Sequence, residues 1–241
     1  MNKGIPILAL DLPDIEKARI MVEQLGDSMS WYKVGSVLFT KEGPGAIEML
    51  KKANKKIFLD LKFHDIPNTV AGAIRQCVSM GIDMLTVHAS GGFTMIAKAV
   101  EAAATEADLI GLPSPKIIVV TLLTSLDSAD LQNDFDIKVT PEEITKKLVK
   151  VAQEAGAHGV VSSPNELFMI RKYFSHDLLA ITPGVRPSWS KNSDQKRVMT
   201  PVEAVNAGAD FLVIGRPILQ ADNPKQAAET IREEIREVTH G

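Results

Sequence analysis

Cysteine is almost missing from this chain: its 241 residues contain one, Cys77. A single thiol excludes an intrachain disulfide and any zinc site built from several cysteines. Cys77 sits among helix-forming residues and reads as a buried structural thiol rather than a nucleophile. Long apolar runs are also missing, and none approaches the ~20 residues of a membrane-spanning helix. The first apolar run, from Ile5 to Leu10, is short, contains Pro6 and stops at Asp11, unlike a secretory signal peptide. The charge balance is only mildly acidic. The net charge of −3 gives no support for a nucleic-acid or membrane-surface partner. Neither G-x-G-x-x-G nor a Walker-type loop occurs, and Gly91-Gly92 reads as a strand-to-helix turn. The expectation is a soluble, cytoplasmic protein with no nucleic-acid and no membrane partner.

What is present is alternation. Strand-like runs occupy 5–11, 31–35, 56–62, 84–88, 116–123, 159–162, 178–182 and 211–214. Helix-like stretches follow them at 14–25, 44–52, 68–80, 93–106, 141–155, 164–174, 201–207 and 224–238. Thr140 and Pro141 suit an N-cap and first helical position. Eight strand–helix units in a chain of about 250 residues predict an α/β fold of the (β/α)₈ TIM-barrel type. A doubly wound open sheet shares the alternation, but the count of eight with no strand left over favours the barrel. No linker interrupts the pattern, so residues 1–241 are expected to form a single catalytic domain. Two connections are long. The one at 123–140 carries Asp127, Asp130, Asp134 and Asp136 and is expected to be a solvated loop. The one at about 183–200 is polar and follows strand seven; loops of that length in compact domains are often lids or binding loops.

The stretch from Ile57 to Val70 is the most informative. Alternation along a strand puts Phe58, Asp60 and Lys62 on one face and Ile57, Leu59 and Leu61 on the other. The first face therefore carries opposite charges where an interior is expected. Burying charges costs several kcal/mol each, comparable to what a buried pair recovers, so the pair marks a site rather than a source of stability. A strand-end salt bridge with a solvated Asp65 is the plainer alternative. TIM-barrel sites lie at the C-terminal ends of the strands. The polar residues there are Asp11, Lys33, Asp60, Lys62, Thr86, His88, Thr121, Thr124 and Ser125, with Thr182-Pro183-Gly184 after strand seven and Gly215-Arg216 after strand eight. The last two loops are where such barrels commonly hold phosphate. Gly215 permits close approach of backbone N–H groups and Arg216 offers a forked cation. Gly184, Arg186 and Gln195 could close over the same anion. His88 reads as an orienting group rather than a reacting one.

These residues fall in motifs: Leu8-Ala9-Leu10-Asp11, Lys33-Val34-Gly35, Asp60-x-Lys62-x-x-Asp65-Ile66-Pro67-x-Thr69, Val87-His88-Ala89, Val120-Thr121-x-Leu123-Thr124-Ser125, Thr182-Pro183-Gly184-Val185-Arg186, Asp194-Gln195-x-Arg197 and Gly215-Arg216. In this order they resemble the orotidine 5'-phosphate decarboxylase family along essentially the whole chain, the D-x-K-x-x-D-I-P-x-T motif being the specific part. The resemblance implies conversion of orotidine 5'-monophosphate (OMP) to UMP and CO₂ in pyrimidine biosynthesis, with no metal and no organic cofactor. It implies a homodimer with sites near the interface, into which the residues matching Asp65 and Thr69 reach from the partner subunit. Lys33, Asp60, Lys62 and Asp65 would form the catalytic charge network. Asp11 and Lys33 would contact the ribose, Thr124 or Ser125 the pyrimidine edge, and Gln195, Gly215 and Arg216 the phosphate. Pro183 would line the site, and Arg186 would assist at the phosphate. The rival readings are a Mg²⁺-dependent 3-keto-L-gulonate 6-phosphate decarboxylase or hexulose-phosphate synthase, which shares a D-x-K-x-x-D strand, and a non-catalytic phosphosugar-binding barrel.

Overall fold

Strands β1 (Ile5–Ala9), β2 (Trp31–Gly35), β3 (Lys56–Phe63), β4 (Met84–His88), β5 (Lys116–Val120), β6 (Gly159–Val161), β7 (Leu179–Thr182) and β8 (Phe211–Ile214) pair in parallel in chain order. β8 then pairs with β1, with Ile5 opposite Phe211, and the sheet closes into the expected barrel. The computed structural model describes residues 4–190 and 199–239. Among the described residues no helix is long and apolar enough to cross a membrane.

Two separate apolar clusters follow from the period-two side-chain alternation of each strand. Leu8, Tyr32, Val34, Ile57, Leu59, Leu85, Val87, Ile117 and Val119 point outward and pack with helix residues such as Val22, Ile47, Ile74 and Ile96. The alternate positions, Ile7, Ala9, Phe58, Met84, Ile118, Ile181, Phe211 and Val213, form a cluster made only of strand residues, which is the barrel interior. The interior is a packed plug. Gly159 shows how tight it is: a methyl group there would come within 2.7 Å of the Leu179 backbone oxygen. Cys77 is buried in the helix Pro67–Ser79, and burial pushes its thiol pKa up to about 12, in keeping with a structural thiol.

Helix starts follow local chemistry. Thr140 accepts from the Glu143 N–H while Glu143 reaches back to the Thr140 N–H, and Pro141 takes the first helical position. Thr200 and Glu203 repeat the arrangement at the helix Pro201–Asn206.

Several features differ from the sequence expectation. The 123–140 connection is not wholly a loop: it contains the helix Ser128–Phe135, opened by a capping box between Asp127 and Asp130 and anchored by buried Leu131. The aspartates read as solvating charges are in part a helix start. A further helix, Ser36–Glu42, fills the space between β2 and the helix Pro44–Lys52, and Gly43 at φ 53° joins the two. Finally, β5 ends at Val120 rather than residue 123; just beyond it both the N–H and the hydroxyl of Thr121 donate to the Val161 carbonyl, at 3.2 and 2.8 Å.

Candidate active site

One step up from the interior plug, the same alternation changes from carbon to charge. Lys33 lies two residues beyond Trp31, Asp60 two beyond Phe58, and Thr86 two beyond Met84. All three therefore face the interior at the C-terminal end of the barrel. Lys33 Nζ lies 3.1 Å from Asp11 Oδ1 and 3.6 Å from Asp60 Oδ2. Lys62 Nζ donates to both oxygens of Asp60 at 2.9 Å. The result is a chain of alternating sign, Asp11–Lys33–Asp60–Lys62, whose formal charges cancel. Side-chain exposure is 11% at Lys33 and 13% at Asp60, against 38% at Lys62 and 50% at Asp11. The inner pair is thus dry and the outer two groups face the barrel mouth. Each buried charge is offset by its neighbour, so removing one leaves the next uncompensated.

Lys62 does not reach this position by simple alternation. β3 and β4 pair at Phe58 with Met84 and Leu59 with Leu85, then resume at Phe63 with Val87. Three residues of β3, Asp60 to Lys62, oppose only Thr86. This is a bulge, and it puts Lys62 at φ 53°. A non-glycine residue with positive φ costs about 1–3 kcal/mol and persists where its surroundings hold it. The Lys62 N–H donates to Thr86 Oγ1 at 2.8 Å. Gly35 makes room on the other side: a methyl group there would sit 2.7 Å from Lys33 Nζ and 3.3 Å from Asp11 Oδ1. The Lys33-x-Gly35 spacing, which puts both residues on one face, is the sequence signal for that role.

The remaining expected residues among those described follow the C-terminal ends of β3, β5, β7 and β8. Asp65 is exposed, accepts from the Ile66 N–H at 2.6 Å and makes no bond to Lys62 in its own chain. Thr69 is exposed in the first turn of the helix Pro67–Ser79. Thr124 and Ser125 lie in the turn after β5. Pro183 follows β7, and next to it Gly184 adopts φ 77°. Arg186 donates its N–H to the Met199 carbonyl at 2.8 Å, beside a bridge between Val185 and Met199. The long connection is therefore tied at both ends. Gln195 falls outside the described residues. Gly215 and half-buried Arg216 open the short helix Arg216–Leu219 at the end of β8.

His88, expected to orient rather than react, bonds its neighbour Ser90. Its Nδ1 lies 2.7 Å from Ser90 Oγ, which is also 3.3 Å from His64 Nε2. Burial, then the neighbouring His64 and the Lys62 ammonium, lower its pKa, which favours the neutral ring. A cleft at the opposite end of the barrel, lined by Ser28, Trp31, Arg232 and Arg236 among others, has no comparable acid–base cluster.

A buried ammonium–carboxylate chain ending in a partly open lysine can stabilise negative charge and then supply a proton. The comparisons with known proteins identify the family. The model of the "Orotidine 5'-phosphate decarboxylase / HUMPS family" matches residues 5–231. An orotidine 5'-phosphate decarboxylase of Gloeothece citriformis is 46% identical over 232 residues, covering 96% of this chain and 97% of the relative. One from Moorella thermoacetica is 47% identical, covering 95% and 91%. The crystal structure of orotidine 5'-phosphate decarboxylase from Lactobacillus acidophilus superposes with a TM-score of 0.84 at 37% identity, over 95% of this chain and 97% of that one. With the barrel, the charge chain and these full-length similarities in agreement, the chain belongs to the orotidine 5'-phosphate decarboxylase / HUMPS family.

Proposed function

We propose that this protein is a carboxy-lyase converting OMP to UMP and CO₂ in pyrimidine biosynthesis, working in the cytoplasm as a homodimer. The observation that carries the reading is Lys33. A Mg²⁺-dependent sugar-phosphate enzyme of the same fold would place an acid near strand two to help hold its metal. Here the cation between Asp11 and Asp60 is the chain's own ammonium. The relatives' names and coverage support the same substrate.

The chemistry follows from the charge chain. The bond from C6 to the carboxylate breaks, CO₂ departs, and the electron pair stays on C6. No adjacent carbonyl is placed to delocalise it. The Lys62 ammonium, held by Asp60, sits where that charge develops and then donates its proton to C6; solvent returns a proton to the amine. This is preorganised electrostatic stabilisation followed by general-acid transfer. Asp60 also faces the departing carboxylate, which favours its loss. Asp11 and Lys33 hold the ribose, Thr69, Thr124, Ser125 and Pro183 line the base and sugar, and Gly215, Arg216, Arg186 and Gln195 hold the phosphate. The phosphate is remote from C6, so its binding energy serves to close the 183–200 connection over the site.

Ultraviolet absorbance of OMP tests the reading directly, because loss of the carboxylate changes the chromophore. Turnover is expected to survive dialysis against EDTA. A loss restored by Mg²⁺, or turnover of keto-sugar phosphates instead of OMP, would transfer the chain to the rival enzymes of its family. Arg216→Ala is expected to remove about 2–4 kcal/mol of phosphate binding, raising KM and lowering kcat/KM in a folded protein. Normal steady-state kinetics from that variant would place the phosphate elsewhere.

A further inference from the structure

Thr86 has no place in the chemistry above, yet its hydroxyl joins two of the residues that do. It is completely buried on β4, at the level where the interior plug gives way to charge. Its Oγ1 accepts from the Lys62 backbone N–H at 2.8 Å and donates to Asp60 Oδ1 at 3.1 Å. A hydroxyl has a single proton, so giving it to the carboxylate while accepting the amide fixes the rotor. Neither bond belongs to the strand ladder. The bulge leaves Thr86 as the one β4 residue opposite Asp60, Leu61 and Lys62, and the side chain of Thr86 takes up the Lys62 amide there. Asp60 is held at both oxygens, Oδ1 by Thr86 and Oδ2 by the approach of Lys33 at 3.6 Å. Packing alone would accept valine at this position, since its shape is nearly the same. Valine would leave the Lys62 amide without its acceptor and Asp60 without one donor.

We infer that Thr86 is a positioning residue for decarboxylation: its hydroxyl holds the Lys62 backbone in its left-handed conformation and fixes the Asp60 carboxylate against the Lys62 ammonium. The inference rests on the decarboxylase reading. Thr86 acts through Lys62 and Asp60. The phosphate contact assigned to Arg216 does not pass through it, and of the ribose contacts Asp11 is remote from it while Lys33 is reached only through the far oxygen of Asp60. Its loss should therefore fall on kcat and not on KM.

The test is a comparison of Thr86→Val, Thr86→Ala and Thr86→Ser with the wild type on OMP. Thr86→Val and Thr86→Ala should lower kcat about 10- to 100-fold, with KM changed less than about threefold. Thr86→Ser, which keeps the hydroxyl and loses the methyl group, should recover kcat to within about fivefold of wild type. A packing role predicts the reverse order, with valine close to wild type and serine impaired. A folded Thr86→Val or Thr86→Ala variant with wild-type kcat overturns the inference; alanine adds no bulk, so it covers the case in which valine fails to fold. A second readout is independent of catalysis. Lysines are reductively methylated with ¹³C, and the Lys62 resonance is assigned by its loss in Lys62→Arg. That resonance should move in Thr86→Val and stay near its wild-type position in Thr86→Ser. An unmoved resonance in Thr86→Val overturns the inference even if the wild type proves inactive on OMP, an outcome that would by itself count only against the decarboxylase reading.

Discussion

Refolding Lys62→Ala together with Asp65→Ala is expected to restore roughly a quarter of wild-type activity from two proteins that are each nearly inactive. On the proposed mechanism Lys62→Ala removes both the charge opposite the C6 carbanion and the proton donor, so its homodimer should lose about 10⁴-fold or more in kcat. Asp65 presents a different problem. Its carboxylate is exposed at the barrel rim and, among the described residues, accepts from the neighbouring Ile66 N–H and leaves Lys62 to Asp60. If Asp65 belongs to the proposed charge network, a carboxylate that makes no bond to its own Lys62 is consistent with service to another chain, as the family resemblance implies. On that proposal each site takes Lys62 from one subunit and Asp65 from its partner. In a mixed dimer one site then combines both defects and the other has neither. Random mixing makes about half the dimers hybrid, each with one intact site of two. Mass spectrometry would confirm the hybrids. Confirmed hybrids without recovered activity would mean that Asp65 serves its own chain or none.

The second large effect is on stability, at the other end of the barrel. Arg171, in the helix Leu167–Tyr173, donates Nε to the Gly208 carbonyl and Nη1 to the Leu178 carbonyl, each at 2.8 Å, and Nη2 to Asp210 Oδ2. The same Asp210 oxygen accepts from the Ala180 N–H at 2.8 Å. The Asp210 backbone carbonyl accepts from Ile5, so one residue ties β1, β7 and the start of β8 together. Side-chain exposure is 13% at Arg171 and 7% at Asp210, which puts the pair among ion pairs whose breakage is costly. Arg171→Met leaves a buried carboxylate without its cation and is expected to lose about 3–5 kcal/mol. For a chain of this size that corresponds to a fall in Tm of roughly 6–20 °C. The pair lies far from the charge chain, so the folded variant should keep its kcat. A loss below about 1 kcal/mol would show that water or a rearranged neighbour compensates Asp210.

Much of this molecule is legible before any coordinates. The eight strands are visible because each is a short apolar run bounded by turn residues, and the site because Lys33, Asp60 and Lys62 are charges in strands that should be buried. Other parts are hidden for physical reasons. Alternation assumes an unbroken register, and the β3 bulge breaks it between Leu59 and Phe63. The sequence argument therefore puts Lys62 on the right side of the barrel for an incomplete reason and gives Thr86 no part. The helix Ser36–Glu42 has no side-chain cap hydrogen bond to announce its start. The helix Ser128–Phe135 does have a capping box, but with aspartate in both roles, in a run of aspartates that reads equally well as solvent-exposed loop. The link from Asp11 to Lys33 spans two strands, and a pattern within one strand does not reveal it.

The pairing of β1 with β8 also bears on how the protein is made. Ile5 must wait for Phe211, which leaves the ribosome roughly 200 residues later, about 10–40 s at ordinary synthesis rates. During that interval β1 has a free edge on one side, and so does each strand that is momentarily the last. Open parallel edges are sites of pairing with other chains. Asp210, whose backbone and carboxylate bring β1, β7 and β8 together, emerges just before β8 itself. The nascent chain is thus most vulnerable to aggregation until its final strand appears, and the residue that clamps the closing seam arrives with that strand.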